Sequence, residues 1–489
     1  MNSVKVFSFF DEITKIPRES GHEERIIAYL ERFAQQRSLQ YKRDEAGNVL
    51  IIKPGTKGLE NIPTVILQSH SDMVCEKNSG IEFNFETDPI RYVEENGWLI
   101  AKETTLGADC GIGMAAQLAI LDSDNITHGP IEALFTTEEE TGLNGAKALK
   151  PRFMSGKLLI NLDSEDEGEL FIGCAGGLDT TARFDYKEEK ISGNKIFFKA
   201  GFYGATGGHS GDDIEKERAN ANQLLMRFLY QLSLNTPFDL CHIDGGNKRN
   251  AIAREAYAVI AIDAADSDST QKLFKEVADE VKDEHTKTDP GLYGEIIAAT
   301  PHQNAIEKIV AEKLIFLLNG MPHGVLAMSM DIPGLVETST NLASIKVEKK
   351  GTIRIGTSQR SSISSARYNA GRRIESLFRL AGAKVAHENE YPGWKPNTDS
   401  PLLELCRSSY KELFGKEPIV RAIHAGLECG MFLDIYPYLD MISFGPTLRG
   451  VHAPGERLEI ASVEKFWTLL TNVLSKITNA NRACEFTIR

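Results

Sequence analysis

The sequence predicts an α/β protein built on a mixed, mostly parallel sheet with helices on both faces, interrupted by an inserted α+β domain. Three observations lead there. Over the first third of the chain, short apolar runs alternate with amphipathic stretches, the pattern of a parallel sheet covered on both sides. After Gly176-Gly-Leu178 the pattern changes to strands that carry charged residues, and from about Pro401 the alternation of the first third returns. At 489 residues the chain also exceeds what one hydrophobic core usually serves, at ~100–200 residues per domain. The expected boundaries are therefore 1–186 and 388–489 for the two parts of a first domain, and 187–387 for the insertion.

The elements follow in order. The stretch 23–36 sets Ile26, Ile27, Leu30 and Phe33 on one face and reads as a helix. Asn48-Val-Leu-Ile-Ile52 and 64–67 read as strands, 113–121 as a helix, 131–136 as a strand, 145–149 as a helix and 158–162 as a strand. In the insertion, Lys195-Ile-Phe-Phe-Lys199 and Tyr257-Ala-Val-Ile-Ala-Ile262 read as half-exposed strands on either side of a helix at 219–232. The layout recurs with strands at 343–349 and 352–355, joined at Lys349-Lys-Gly351, and a helix at 364–380. Two related lobes are expected, on a sheet smaller than that of the first domain. The returning part reads as helices at 402–413 and 463–477 around a strand near Met441.

Composition removes several classes of function. With 42% hydrophobic and 25% charged residues the chain has the balance of an ordinary globular protein. Its longest apolar runs, such as Leu314-Ile-Phe-Leu-Leu318, fall far short of the ~20 residues that cross a bilayer. The first residues show no basic segment, apolar core and small-residue cleavage site in succession, so the expected address is the cytoplasm. Seven scattered cysteines (Cys75, Cys110, Cys174, Cys241, Cys406, Cys429, Cys484), never spaced Cys-x-x-Cys, argue against a disulfide framework and a zinc ribbon; most are expected to be reduced and buried. A net charge of −14 repels phosphate backbones, and no segment gathers basic residues with aromatics, so nucleic acid is not an expected partner.

Five short motifs carry metal-binding side chains. They are Thr64-Val-Ile-Leu-Gln-Ser-His70-Ser-Asp72, Leu106-Gly-Ala-Asp109-Cys-Gly, Ala133-Leu-Phe-Thr-Thr-Glu138-Glu139-Glu140-Thr-Gly142, Leu158-Leu-Ile-Asn-Leu-Asp163-Ser and Ile442-Ser-Phe-Gly-Pro-Thr-Leu-Arg-Gly-Val-His452. Taken singly, a histidine after a strand is more often a hydrogen-bonded rim residue, and a Glu-Glu-Glu run is more often solvated surface. Together, following strands or a tight turn, they read as one dinuclear site at the carboxyl edge of an α/β sheet. A two-metal hydrolytic site needs a bridging carboxylate, at least one further ligand on each ion and room for water. Asp109 is the expected bridge, in a turn whose glycines let the backbone approach the ions. His70 and Asp163 complete one metal, and Glu140 and His452 the other, a set suited to zinc and also to cobalt or manganese. Asp72 is placed to accept the second ring N–H of His70 and fix its tautomer. Glu139 is placed to take a proton from water between the ions and return it to the leaving amine. A competing motif, Gly111-Ile-Gly113-Met-Ala-Ala116, matches a dinucleotide fingerprint, but no apolar strand precedes it and Asp109 would face the pyrophosphate.

His70-Ser-Asp72-Met-Val, Leu106-Gly-Ala-Asp109-Cys-Gly-Ile-Gly, Glu138-Glu139-Glu140-Thr-Gly, Leu162-Asp163-Ser-Glu-Asp-Glu-Gly and Ile423-His424-Ala-Gly-Leu-Glu-Cys-Gly430 resemble the bacterial aminoacyl-histidine dipeptidases, also called peptidase D or cytosolic non-specific dipeptidases. These belong to a clan of zinc-dependent carboxypeptidases, aminoacylases and carnosinases. The resemblance covers nearly the whole chain. It implies a zinc-peptidase-like catalytic domain split by a lid, two Zn²⁺ per chain, and hydrolysis of unblocked dipeptides, including Xaa-His such as carnosine. It also implies His70, Asp109, Glu140, Asp163 and His452 as ligands, with Asp72 and Glu139 as catalytic acids. Gly207-Gly-His209-Ser-Gly211 resembles the lid histidine that stabilises the oxyanion. Arg360, in Thr357-Ser-Gln-Arg-Ser, resembles the arginine that grips the substrate carboxylate, with Asn250 and the Gly426 backbone as weaker members. A homodimer, and a lid that serves a partner chain's site, stay open. So do a carboxypeptidase, an aminoacylase or another amidohydrolase of the clan, and, in a different class, an NAD-dependent oxidoreductase.

Overall fold

The computed structural model describes residues 3–349 and 351–479; Lys350, within the expected turn, and Cys484 lie outside the described residues. The chain forms two compact units. One comprises Met1–Gly173, Trp394–Ala422 and Leu427–Arg489, the other Cys174–Gly393 and Ile423–Gly426.

The first unit carries an eight-stranded sheet in the order Gln40–Arg43, Val49–Lys53, Ile131–Thr136, Val65–His70, Leu158–Asn161, Asp440–Ser443, Glu169–Cys174, Ile419–Ile423. Its centre is parallel. Val65–His70 runs parallel to both Ile131–Thr136 and Leu158–Asn161, and Asp440–Ser443 runs parallel to the latter. Antiparallel pairings flank this centre, at Val49–Lys53 on one side and Glu169–Cys174 on the other. The central strands are buried along their whole length, which is why they read as continuous apolar runs instead of alternating ones.

Register does the positioning. His70 lies beside Thr136, and Gln68 beside Asn161, so the segments that follow these strands all leave the sheet at one edge. Those segments hold Asp72, Glu139 and Glu140, and Asp163. The helix Ala108–Leu121, buried on nearly all sides, starts before its apolar pattern suggests, and Asp109 and Cys110 at its start have non-helical backbone. No strand leads into it, as a dinucleotide fingerprint requires. Helix Glu24–Gln36 buries Ile26, Ile27, Leu30 and Phe33, the expected face.

The second unit is built on a nine-stranded sheet, so the expectation of a smaller sheet is overturned. Two lobes are fused into one sheet. In one, Ala256–Asp263 lies between Lys195–Tyr203 and Phe238–Gly245; in the other, Thr352–Ser361 lies between Val336–Lys349 and Gly176–Asp185. The lobes join where Asp244 and Gly245 pair with Lys346 and Ile345. Gly176–Asp185, which the sequence pattern assigns to the first domain, belongs here because it pairs with Thr352–Ser361 and Lys384–Tyr391. Ala256–Asp263 is also largely buried where a half-exposed strand is expected: it is an interior strand whose Ala258, Val259, Ile260, Ala261 and Ile262 are all buried, with only Tyr257 partly exposed and Asp263 exposed.

Among the described cysteines, Cys110, Cys174, Cys406 and Cys429 are buried, and Cys75 and Cys241 are partly exposed. No described helix is long and apolar enough to cross a membrane.

Candidate metal centre

The side chain of His70 is at the end of a buried strand and is itself buried. Its Nε2 lies 3.0 Å from Asp109 Oδ1 and 3.3 Å from Asp163 Oδ1. The other oxygen of Asp109, Oδ2, lies 3.1 Å from Nε2 of His452, which in turn is 3.0 Å from Glu140 Oε2. The five expected ligands thus form a continuous series with Asp109 at its middle, one oxygen turned to each histidine. His452 holds a left-handed backbone, with φ 61°, which histidine adopts more readily than most residues.

The donor set fits a cation. Glu140 Oε1 is buried without a hydrogen-bond partner, and a carboxylate oxygen is seldom left so unless something positive meets it. Burial pushes the Asp163 carboxyl up to about 6, with Asp109 adding and His70 opposing. The His452 imidazole is raised to about 11 by its contacts with Asp109 and Glu140. Burial lowers His70, but Asp163, Asp109 and Asp72 outweigh it and hold the ring well above its ordinary value. Without a metal, the two imidazolium rings supply the positive charge these acids need.

Donor atoms of His70, Asp109 and Glu140 lie within 4.8 Å of one another, as do those of His70, Cys110 and Asp163. Cys110 is not among the ligands the sequence suggests. Its thiol lies 3.3 Å from the Leu162 carbonyl oxygen, and burial raises it well above the usual thiol range, so it stays protonated and is the weaker donor.

Asp72 is arranged differently from the expectation. His70 Nδ1 is closer to the backbone oxygen of Asp72, at 3.2 Å, than to its carboxylate, at 3.4 Å. The carboxylate accepts the backbone N–H groups of Glu139 (3.1 Å) and Glu140 (3.2 Å) and the Ser20 hydroxyl (2.7 Å). Glu138 has φ 49°, and its N–H donates to Glu23 at 2.8 Å, so the chain leaves strand geometry where Glu139 and Glu140 must point apart. Burial drives the Glu139 carboxyl well above its ordinary value; His70 opposes this, and Asp163, Glu428 and Glu140 reinforce it.

Three residues at this site go beyond those the sequence suggests. Arg18 is fully buried, and its guanidinium donates to the backbone oxygens of Ser71, Asp72 and Gly107. A Cβ at Gly107 or Gly111 would come within 2.6 or 2.7 Å of its Nη2, so Arg18 takes the space that a side chain at either glycine of the Asp109 turn would need. Glu456 accepts backbone N–H groups of that turn from the opposite side. Glu428 is buried, takes hydrogen bonds from Gln68 (2.5 Å) and Thr136 (2.8 Å), and is pushed by burial to about 8. A distant arginine gives no sequence signal, but Glu428 stands inside the motif Ile423–Gly430 and Glu456 only four residues past His452.

Within the second unit, Arg360 is buried and donates to the Tyr391 hydroxyl at 2.8 Å, while its Nη2 lies 3.4 Å from His209 Nε2. A Cβ at Gly426 would come within 2.9 Å of the Tyr391 ring, so Arg360 and Gly426 both lie against Tyr391, and His209 against Arg360. Asn250 is exposed, and its backbone oxygen accepts the Ser210 N–H at 2.8 Å. The His424 imidazole is buried against the Ser339 hydroxyl at 2.7 Å, and burial pushes it down to about 3.

The chain is similar to known peptidases over most of its length. A model of Peptidase family M20/M25/M40 matches residues 66–476. The chain is 40% identical over 472 residues to the cytosol non-specific dipeptidase of Escherichia coli (strain K12), covering 96% of this chain and 97% of that one. The crystal structure of aminoacylhistidine dipeptidase from Vibrio alginolyticus superposes with a TM-score of 0.91 at 39% identity, over 97% of each chain. A tripeptidase from Staphylococcus aureus shares the fold, with a TM-score of 0.57 at 17% identity over 98% of this chain and 99% of that one.

Proposed function

Because the chain belongs to peptidase family M20/M25/M40, we propose that it is a cytoplasmic dipeptidase that uses two divalent metal ions, zinc first among them, to hydrolyse unblocked dipeptides, including Xaa-His. The observation that carries the two-metal reading is Asp109, with one carboxylate oxygen 3.0 Å from His70 and the other 3.1 Å from His452. His70, Asp163 and Asp109 would hold one ion, and Glu140, His452 and Asp109 the other. Bound there, divalent ions would supply Lewis-acid polarisation of the peptide carbonyl and a lowered pKa for water at the site.

The protein's own groups do the rest. Glu139, whose carboxyl desolvation raises well above its ordinary value, takes the proton from the attacking water and passes it to the leaving amine. Asp72 fixes the direction of Glu139 and Glu140 through their amides, and its backbone oxygen, 3.2 Å from His70 Nδ1, orients that ring. Arg360 grips the terminal carboxylate of the dipeptide with its planar fork of donors, and His209 stabilises the oxyanion. Asn250 and the Gly426 backbone complete substrate binding. The cytosolic name of the E. coli relative supports the address.

A panel of dipeptides, tripeptides and N-acetylated dipeptides, assayed with added zinc, tests the substrate class. Free dipeptides should be cleaved fastest. Preference for N-acetylated substrates would make the protein an aminoacylase instead, and cleavage of long peptides from the C-terminus a carboxypeptidase.

A further inference from the structure

We propose that Glu456 is a positioning residue for the metal centre, and that it holds the turn carrying Asp109 against the loop carrying His452. The inference rests on the two-metal reading given above. Glu456 is 2% exposed, and its carboxylate is spread along four successive backbone donors: Oε2 accepts from Leu106 (2.7 Å) and Gly107 (3.0 Å), and Oε1 from Ala108 (2.8 Å) and Asp109 (3.4 Å). Such charge-assisted bonds are short and strong, and a row of amides suits an anion. Burial raises this carboxyl, and the amide bonds from Gly107, Leu106 and Ala108 pull it back.

Glu456 stands four residues after His452. The same loop is tied to the segment that leads into the turn: Gly455 N–H donates to the Ala101 carbonyl at 2.9 Å, Ala101 N–H to the Glu456 carbonyl at 3.2 Å, and Arg457–Glu459 pairs with Trp98–Ile100. From the far side of the turn Arg18 binds the Gly107 carbonyl, so the peptide groups before Asp109 are fixed at their N–H ends by an anion and at a C=O end by a cation. Neither charge touches a metal ligand's side chain. Their effect on the ions can pass only through the placement of Asp109 and, for Glu456, of His452, both on the same proposed ion.

The test is zinc retention. Full-length wild type and Glu456→Gln are loaded with zinc and equilibrated against a chelator of known affinity, with thermal unfolding of the zinc-free proteins recorded alongside. The substituted amide keeps one acceptor oxygen and turns an NH₂ toward two N–H donors. The expected result is zinc held ~10–100-fold more weakly, the usual loss when a group behind the ligands is removed. The visible absorption of the cobalt-loaded protein should change too, while zinc-free unfolding shifts little. Zinc affinity and cobalt spectrum equal to wild type would overturn the inference, as would a zinc loss fully matched by lower stability of the zinc-free protein. If Glu456→Gln does not fold, Arg18→Lys is measured in the same way; weaker zinc in a folded Arg18→Lys is expected, and unchanged affinity overturns the brace. A wild-type chain that takes up no zinc overturns the two-metal reading itself, which separates the two failures.

Discussion

Asp72 Oδ1 accepts the backbone N–H of Glu139 at 3.1 Å and lies 3.4 Å from His70 Nδ1, so one carboxylate oxygen ties the proposed proton carrier to a proposed metal ligand. Asp72→Asn would set an NH₂ against one of two backbone donors or against the ring. Both activity and metal retention should fall, by roughly 10–100-fold. A variant that loses neither would show that Asp72 merely fills space.

Glu139 and Glu140 are neighbours with separable roles. Glu139→Gln should keep its metal and its fold while kcat drops by about 10²–10⁴, the range for a positioned proton carrier. Glu140→Gln should instead lose metal, because its carboxylate is 3.0 Å from His452 and its Oε1 has no other partner. Metal analysis beside steady-state kinetics distinguishes the two, and an active Glu139→Gln enzyme contradicts the assignment.

Arg360 is fixed by the Tyr391 hydroxyl and keeps a buried Nε without a partner. Arg360→Ala should raise KM for free dipeptides roughly tenfold to a hundredfold, the worth of a hydrogen bond to a charged group. A dipeptide amide, lacking the carboxylate, should be affected much less. Equal losses on acid and amide would remove the carboxylate grip.

Metal uptake should release protons. His452 is raised to about 11 and His70 is raised as well, so both rings are protonated near neutral pH without metal, whereas a ligating imidazole must be neutral. The sign follows: affinity rises with pH through the neutral range, and calorimetric titration in buffers of different ionisation heat should show net release. Zero net release near pH 7 contradicts the pairing of the two histidines with Asp109.

Much of this is legible in the sequence because the site hangs on buried parallel strands. Val65–His70, Ile131–Thr136 and Leu158–Asn161 are continuous apolar runs, and their register alone brings His70, Glu140 and Asp163 to one edge. What is not legible depends on contacts across long separations. Arg18 acts on carbonyls 53 to 89 residues away, and Glu456 on amides nearly 350 residues before it, and neither leaves a local pattern. The sequence sets Asp72 beside His70, but its bonds to the amides of Glu139 and Glu140 need the turn at Glu138, whose positive φ has no glycine to announce it. The size of the second sheet is hidden for a related reason: two lobes that look separate in sequence share the bridge at Asp244 and Lys346.

Activity of this dipeptidase should need both ions around Asp109. That requirement is tested most directly by adding zinc in steps to the metal-free protein and following hydrolysis of a free Xaa-His dipeptide, with metal bound per chain measured in parallel for wild type and Asp109→Ala. Hydrolysis should rise until two zinc ions are bound, and the Asp109→Ala protein should retain less metal than any other single-ligand variant and be inactive. Full activity with one ion bound, or full metal content in Asp109→Ala, would contradict that requirement.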